Sequence, residues 1–382
     1  MYKASPPAVS LSRPSFFPRS GALLFALGLT VLTLLLRFFL SAETLEMWYG
    51  RGLFPGIRTL WDHTLARLPL PLFYLFWAIV VGVLIRGGFR CRNVYRANAT
   101  QRKRRAAAVV VRDLLLFVCI LVNVFMWGWG FNYGRTSVED QLGFATYEPS
   151  LEELRTTVYR TEVELSQLRQ RVTSDTSALP EEVFPADWEG TVRPLVVRAL
   201  VRHDYPAPGQ PRAWELLPRG ILLRLSTAGV YWPWAGQGNI DAGLHPLQKP
   251  AVMGHELAHA YGFGDEGTCS FWAYLAGRET ADPLLRYALE LAYWRHLAGQ
   301  LRYADPEGYL SWRATELDPG IRNDLEAIYA NGEKYRDIAP ALRDATYTAY
   351  LKAQGIDEGL LNYNRVVRLV EGYRRAIIPP RE

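Results

Sequence analysis

The chain has 382 residues, 49% of them hydrophobic and 13% aromatic, which is enough for a membrane region plus one globular domain with a substantial core. Its formal net charge is +5, but nine arginine or lysine residues and no acid fall within residues 86–112, so the remainder of the chain is net negative. That concentration excludes a nucleic-acid footprint on the folded domain, and a lone Cys269 in the C-terminal two thirds excludes a disulfide framework there.

Three apolar runs in the first third of the sequence predict transmembrane helices. They cover about residues 21–40, 69–85 and 114–131. The third run ends in the aromatic segment Trp127–Tyr133, which is typical of a membrane interface. One such run alone is compatible with a buried core helix, and the first is compatible with a cleaved signal peptide. Three successive runs and a poor cleavage site at Leu40-Ser41-Ala42 favour retained spans.

Basic residues in the loops predict the orientation of these spans. The loop at 86–112 carries the uncompensated positive charge that marks a cytoplasmic loop beside anionic lipid. The N-terminus then lies inside, and everything after about Asn132 lies outside. We therefore expect a multi-pass protein of the bacterial inner (cytoplasmic) membrane, with a cytoplasmic tail at 1–20, a membrane region at 21–131 and a periplasmic domain at 132–382.

The outer domain is predicted to be mostly helical. Ser150 and Glu153 match a capping box at the start of one helix, and a second is expected over Asp187–Arg202. Residues 220–234 are β-branched, aromatic and interrupted by glycine, which indicates one or two strands before a turn at Gly236–Asn239. Two roles are open for this segment: an edge that pairs with an extended peptide, as in zinc peptidases, or a small sheet that caps the helical core.

The most informative segment is His255-Glu256-Leu257-Ala258-His259, an HExxH motif. On a helix that begins near Lys249-Pro250, the two histidines lie one turn apart on the same face, so both can bind one Zn²⁺. Glu256 lies beside them, where it can accept a proton from a water that the metal activates. Four further helices are predicted after the motif, near Asp282–Tyr303, Gly320–Tyr335, Ile338–Gln354 and Tyr363–Arg375.

A third metal ligand is expected just after this helix. The turn Gly262–Gly264 permits a sharp reversal, and Asp265 can cap a second helix. Glu266 would then return over the first helix and complete a His/His/Glu site with one open position. Asp265, Cys269 and a more distant residue are alternatives for that ligand, and Ser270 can support a ligand from the outside. A buried histidine pair beside an unrelated glutamate is the alternative to any metal site.

Several segments together resemble one protein family. They are Gly229-Val-Tyr-Trp-Pro233, Gly254–His259, Asp265–Tyr274, Tyr347–Lys352 and Asn364–Val367. With the three spans, they are similar to the domain of unknown function 3810 family, uncharacterised bacterial membrane proteins. The resemblance implies a branch of the gluzincin-type zinc peptidases, in which Glu266 takes the place of the third ligand. Cys269 and Ser270 stand where that superfamily usually has Ala and Asn or Asp.

We expect a mainly α protein: three N-terminal transmembrane helices followed by a mostly helical, zincin-like (gluzincin-type) extracytoplasmic domain with a small β-sheet. The expected function is a membrane-anchored zinc metallopeptidase, a hydrolase with Zn²⁺ on His255, His259 and Glu266 and with Glu256 as catalytic base. The expected partners are membrane lipid and a peptide or protein substrate, and no nucleic acid.

Two other functions are considered. One is a non-catalytic integral membrane protein with a structural zinc, acting in envelope assembly or sensing. The other is an intramembrane protease, which the acidic residues between His255 and Tyr274 disfavour because no apolar run there is long enough to cross a membrane. The sequence does not rank the candidates for an oxyanion-stabilising residue, which are His296, Tyr347, Tyr350 and Arg365.

Overall fold

The computed structural model describes residues 18–97, 102–338, 340–357, 362 and 364–377. The predicted tail at 1–20 lies almost entirely outside the described residues, as does part of the predicted cytoplasmic loop. The chain divides into two compact units. The span unit comprises Met1–Phe39 and Ile79–Met126, and the main unit comprises Leu40–Ala78 and Trp127–Glu382.

Helices dominate the described residues, which confirms the mainly α prediction. Apart from short helical turns, the helices are α1 (Pro18–Phe39), α2 (Phe54–His63), α3 (Leu72–Ala97), α4 (Arg102–Gly128), α5 (Val138–Leu142), α6 (Leu151–Val172), α7 (Trp188–Arg202), α8 (Lys249–Ala260), α9 (Glu266–Arg278), α10 (Pro283–Ala304), α11 (Pro306–Thr315), α12 (Pro319–Glu333), α13 (Pro340–Ala353) and α14 (Arg365–Ile377). The strands are β1 (Ala213–Leu216), β2 (Gly229–Trp232) and β3 (Gln237–Asp241).

Three of the described helices are long and apolar enough to cross a membrane, as predicted. The candidate spans are Gly21–Phe39 in α1, Leu72–Asn93 in α3 and Ala107–Gly128 in α4. In the span unit, the polar Asn123 of α4 donates to the Thr30 hydroxyl at 2.7 Å and accepts from the Thr33 hydroxyl at 2.9 Å. A hydrogen-bonded amide is tolerated in an apolar span because both of its polar atoms have partners.

The segment between the first two spans is folded and belongs to the main unit. Its helices were not predicted from the sequence: they are a short α-helix (Ala42–Thr44), a π-helix (Leu45–Leu53) and α2. Arg58 and Asp62 form a buried ion pair in α2, and the Arg58 guanidinium also donates to the Gly236 carbonyl at 2.7 Å. The Trp61 indole donates to the Ala235 carbonyl at 2.9 Å. Helix α2 therefore holds the turn that joins β2 to β3.

The described strands form one small sheet in the order β1-β3-β2, with β1 parallel and β2 antiparallel to β3. The prediction of a turn at Gly236–Asn239 is wrong. The turn ends at Gly236, whose φ of +59° suits glycine, and Gly238 lies inside the central strand. Glycine is needed at 238 for packing, because a Cβ there would stand 2.8 Å from the Cβ of Glu256 on α8.

The helices around the sheet form the core of the main unit and largely follow the predictions. The Ser150/Glu153 capping box is present, and Asp187 caps α7. The four helices predicted after the motif correspond to α10, α12, α13 and α14, although Tyr363 lies outside the described residues. Helix α11 was not predicted, since an aspartate followed by a proline is a combination that commonly ends a helix. Asp305 instead caps a new helix that Pro306 begins.

Candidate metal centre

Helices α8 and α9 bring the motif and its predicted third ligand together. The two helices cross closely at Gly254, where an added Cβ would lie 3.2 Å from the Ala273 Cβ. After α8 the chain reverses at Gly262, with a φ of +94°, and Asp265 caps α9 by accepting from the Thr268 amide at 2.6 Å. Glu266 is thereby the first residue of α9 and faces α8, as the turn glycines predicted.

Three donor atoms, one each from His255, His259 and Glu266, lie close together where α8 faces the start of α9. The Nε2 atom of His255 lies 2.9 Å from Oε2 of Glu266 and 3.1 Å from Nε2 of His259. The Nε2 atom of His259 lies 3.4 Å from the same Glu266 oxygen. A tetrahedral zinc with nitrogen and oxygen ligands separates its ligand atoms by about 3.3 Å. The donors therefore have the chemistry and the spacing that Zn²⁺ requires.

A second ring of hydrogen bonds orients these donors. Nδ1 of His259 lies 2.7 Å from the Phe263 carbonyl, and Nδ1 of His255 lies 3.1 Å from the Ser270 hydroxyl, the outer partner that the sequence suggested. The Tyr347 hydroxyl donates to Oε1 of Glu266 at 2.7 Å. With both Nδ1 atoms occupied, each imidazole presents Nε2 to the centre. Tyr347, one of the sequence candidates for oxyanion stabilisation, thus contacts the candidate ligand Glu266.

Cys269 offers an alternative third donor, since donor atoms of His255, His259 and Cys269 lie within 4.8 Å of one another. The geometry favours Glu266. The Cys269 thiol lies 3.2 Å from Nδ1 of His259, the ring nitrogen that faces the Phe263 carbonyl, whereas Glu266 faces Nε2. Burial also raises the pKa of the Cys269 thiol to about 12. The other alternative, Asp265, caps α9 and pairs with Arg365 at 2.7 Å.

Two buried glutamates of the site have opposite electrostatic environments. Burial alone would raise the pKa of Glu266, but the neighbouring His259 and His255 outweigh it and hold this pKa well below its usual range. Burial raises the pKa of Glu256 to about 8. Within the described residues, Oε2 of Glu256 is buried without a hydrogen-bond partner. Opposed shifts of this kind distinguish an anionic ligand from an acid or base that can exchange a proton.

The site opens into a cavity of about 1270 Å³ that β2 lines along its whole length. Glycine at 229 leaves room for the Glu256 side chain, because a Cβ there would lie 2.6 Å from Oε1 of Glu256. The Asp241 amide donates to the Ala228 carbonyl at 2.9 Å. By the alternation of an antiparallel ladder, the backbone groups of Gly229 and Tyr231 then point away from β3, along the outer edge of β2.

Residues far upstream in the sequence also contact the end of α8 and the turn that follows it, and they were not predicted as part of the site. The Trp129 indole donates to the His259 carbonyl at 2.7 Å. Arg135 donates to the Gly262 carbonyl at 2.8 Å and pairs with the buried Glu46 at 2.6 Å. Trp129 and Phe131 are fully buried, so the interpretation of this aromatic segment as a membrane-interface belt is wrong for them. Their local pattern gave no signal of this role, because the contacts are distant in sequence.

A family described as "Protein of unknown function (DUF3810)" matches residues 49–370, a stretch that contains every donor of the centre. Neither the curated proteins nor the solved structures give a match.

Proposed function

The chain belongs to the DUF3810 family, and we propose that it is a membrane-anchored, zinc-dependent metallopeptidase that hydrolyses peptide bonds in the periplasm. The observation that carries the proposal is the triangle of His255, His259 and Glu266 donors with Glu256 in the same cavity. A zincin-like fold is part of the proposal. It is supported by the helix pair α8–α9, packed against a sheet whose edge strand β2 is antiparallel to its neighbour.

Each residue of the centre has a role in this proposal. His255, His259 and Glu266 would hold the metal, and bound Zn²⁺ would supply a Lewis acid that lowers the pKa of a water and polarises a carbonyl. Glu256 accepts the proton that the attacking water loses and delivers it to the leaving amine. Burial raises the pKa of Glu256, which favours the uptake of a proton from the attacking water.

The substrate in this proposal is an extended peptide that pairs with β2. The backbone groups of Gly229 and Tyr231 are directed along its outer edge, where a further strand can add by main-chain hydrogen bonds. This arrangement would carry the peptide past Glu256, which lies against Gly229. Two roles were considered for this segment. The outward-facing backbone groups of β2 support the pairing of a peptide more than the role of a sheet that only caps the core.

Purified full-length protein from metal-replete cells is expected to carry about one Zn²⁺ per chain and to cleave members of a broad peptide library. A strong zinc chelator should abolish the cleavage and added Zn²⁺ should restore it, with Mg²⁺ as the control because it prefers oxygen ligands. Metal analysis measures the zinc content, and mass spectrometry of the products measures the cleavage. Zinc without any cleavage would replace this proposal by the structural-zinc alternative in envelope assembly or sensing.

The periplasmic orientation rests on two observations. The loop at 86–112 carries nine basic residues and no acid, which marks a cytoplasmic loop. Leu40–Ala78 and Trp127–Glu382 form one compact unit although α3 and α4 separate them in sequence. Two membrane crossings, by the spans in α3 and α4, return the chain to the side that it left. Both segments can then belong to one folded unit. In this proposal the main unit therefore lies on the periplasmic side of the inner membrane.

Alkaline phosphatase fusions test this orientation. The enzyme folds only outside the cytoplasm, so a fusion after Arg135 is expected to be active and one within Cys91–Arg105 inactive. Immunoblots normalise each activity to the amount of fusion protein. The reverse pattern would place the main unit in the cytoplasm and contradict the proposed compartment.

A further inference from the structure

Helix α10 contributes one charged face to the cavity that contains the metal centre. Arg295, His296, Gly299 and Arg302 all line the cavity, and their spacing of three, four and seven residues places them along one side of the helix. His255, His259 and Glu266 line the same cavity, so this face of α10 and the candidate metal donors share one open space.

The two arginines on this face have no acidic partner among the residues that the structure describes. Within the described residues, no ion pair or hydrogen bond joins Arg295 or Arg302 to a carboxylate. Burial lowers the pKa of Arg295. Both side chains stay charged at any physiological pH, but Arg302 is exposed whereas Arg295 is half-buried. A charge withdrawn from water, as at Arg295, is unfavourable without an anion nearby. The carboxylates that line the cavity are Glu256 and Glu266, which belong to the metal centre.

Space for a ligand lies between the two arginines. Gly299 is one turn from Arg295 and from Arg302, and a Cβ built on it would meet no atom within 4 Å. A substrate group can therefore approach the helix backbone at this point. Guanidinium groups bind carboxylates through paired, charge-assisted hydrogen bonds, which are stronger than neutral ones.

We propose that Arg295, Gly299 and Arg302 form a binding site for a carboxylate of the peptide substrate, so that the enzyme prefers acidic peptides. The inference rests on the proposed function. The carboxylate can belong to an aspartate or glutamate side chain or to the C-terminus of the peptide. Both sources present the same planar anion, and matched peptides distinguish them.

The test uses full-length protein in detergent and peptides that differ in one group. One pair has glutamate or glutamine at a single position, and the other has a free or an amidated C-terminus. Arg295→Gln is expected to raise KM for the preferred acidic peptide about 10- to 100-fold, and Arg302→Gln about two- to fivefold, because Arg302 is exposed to water. Values for kcat and for the neutral partner peptide should change little. Arg286→Gln is the matched control, since Arg286 lies on the same helix outside the cavity.

A binding measurement separates this inference from the proposed function. Fluorescence anisotropy of labelled peptides on the Glu256→Gln variant reports binding without turnover. Selective binding of the acidic peptide, lost in Arg295→Gln, would support the carboxylate site even if wild type cleaved nothing. Equal binding and cleavage of acidic and neutral peptides by wild type would overturn it.

Gly299→Val provides a second variant in case the loss of an arginine impairs folding. It fills the open space beside α10 and leaves both charges in place. We expect it to weaken binding of the acidic peptide about tenfold while thermal unfolding stays close to wild type. Undiminished binding by a folded Gly299→Val variant would also contradict the site.

Discussion

Glu256→Gln is expected to lower kcat for peptide hydrolysis by a factor of about 10² to 10⁴, the usual contribution of a positioned general base. Zinc content should remain close to that of wild type, because the substitution leaves His255, His259 and Glu266 in place. Glutamine has nearly the same size and shape as glutamate, so the tight packing of this side chain against Gly229 and Gly238 is preserved. Only the ability to exchange a proton is removed.

A buried glutamate elsewhere provides the control for this substitution. Glu290 on α10 is buried, and burial raises its pKa as it does that of Glu256, but it does not line the cavity. Glu290→Gln should leave kcat within about twofold of wild type, since it touches none of the reacting groups. Zinc content, thermal unfolding and kcat are measured on all three proteins. Equal cleavage by Glu256→Gln and wild type would rule out Glu256 as the base.

His259→Ala is expected to weaken zinc binding by more than about 100-fold and to abolish hydrolysis with it. The magnitude follows because loss of an outer partner alone typically weakens metal binding 10- to 100-fold, and His259 is proposed as a direct ligand. Thermal stability should also fall, since the metal would link α8 to α9 and stabilise the folded state by its binding. Competition with a chromogenic chelator measures the affinity, and calorimetry measures the unfolding.

Two further variants decide the identity of the third ligand. Glu266→Gln should weaken zinc binding first and hydrolysis as a consequence, whereas Cys269→Ala should retain zinc, because the thiol lies on the Nδ1 side of His259. His203→Ala controls for loss of a histidine, since His203 pairs with Tyr373 away from the centre. Zinc retained in His259→Ala, or lost in Cys269→Ala but not in Glu266→Gln, would show that the ligand set is wrong.

The centre was predictable from sequence wherever its geometry is local. His255 and His259 are one helical turn apart, and the glycine turn and Asp265 cap that bring back Glu266 follow within seven residues. Residues that act over long distances left no such pattern. Tyr347 supports Glu266 from 81 positions away, and nothing in its own segment distinguishes it from a core tyrosine.

Local propensity also misled where packing decides the structure. Gly238 lies beside Gly236 in a segment rich in turn-forming residues, so a turn was expected there. In the structure Gly238 is a central strand residue that allows α8 to approach the sheet. Similarly, Asp305-Pro306 both ends one helix and begins the next, and the sequence alone favoured only the ending. The three apolar helices, by contrast, were predicted, because a candidate span is recognised from the composition of about 20 consecutive residues.

The main unit is discontinuous in sequence, and this has a consequence for biosynthesis. Arg58 and Glu46, in the part translated first, contact Gly236 and Arg135, which are translated only after α3 and α4. The two partners of each contact are therefore synthesised before and after α3 and α4. The contacts can form only once both helices have been made. In the proposed topology, a chain stalled or misinserted at either helix cannot complete the centre. Completion of the candidate centre would then depend on correct insertion of both helices.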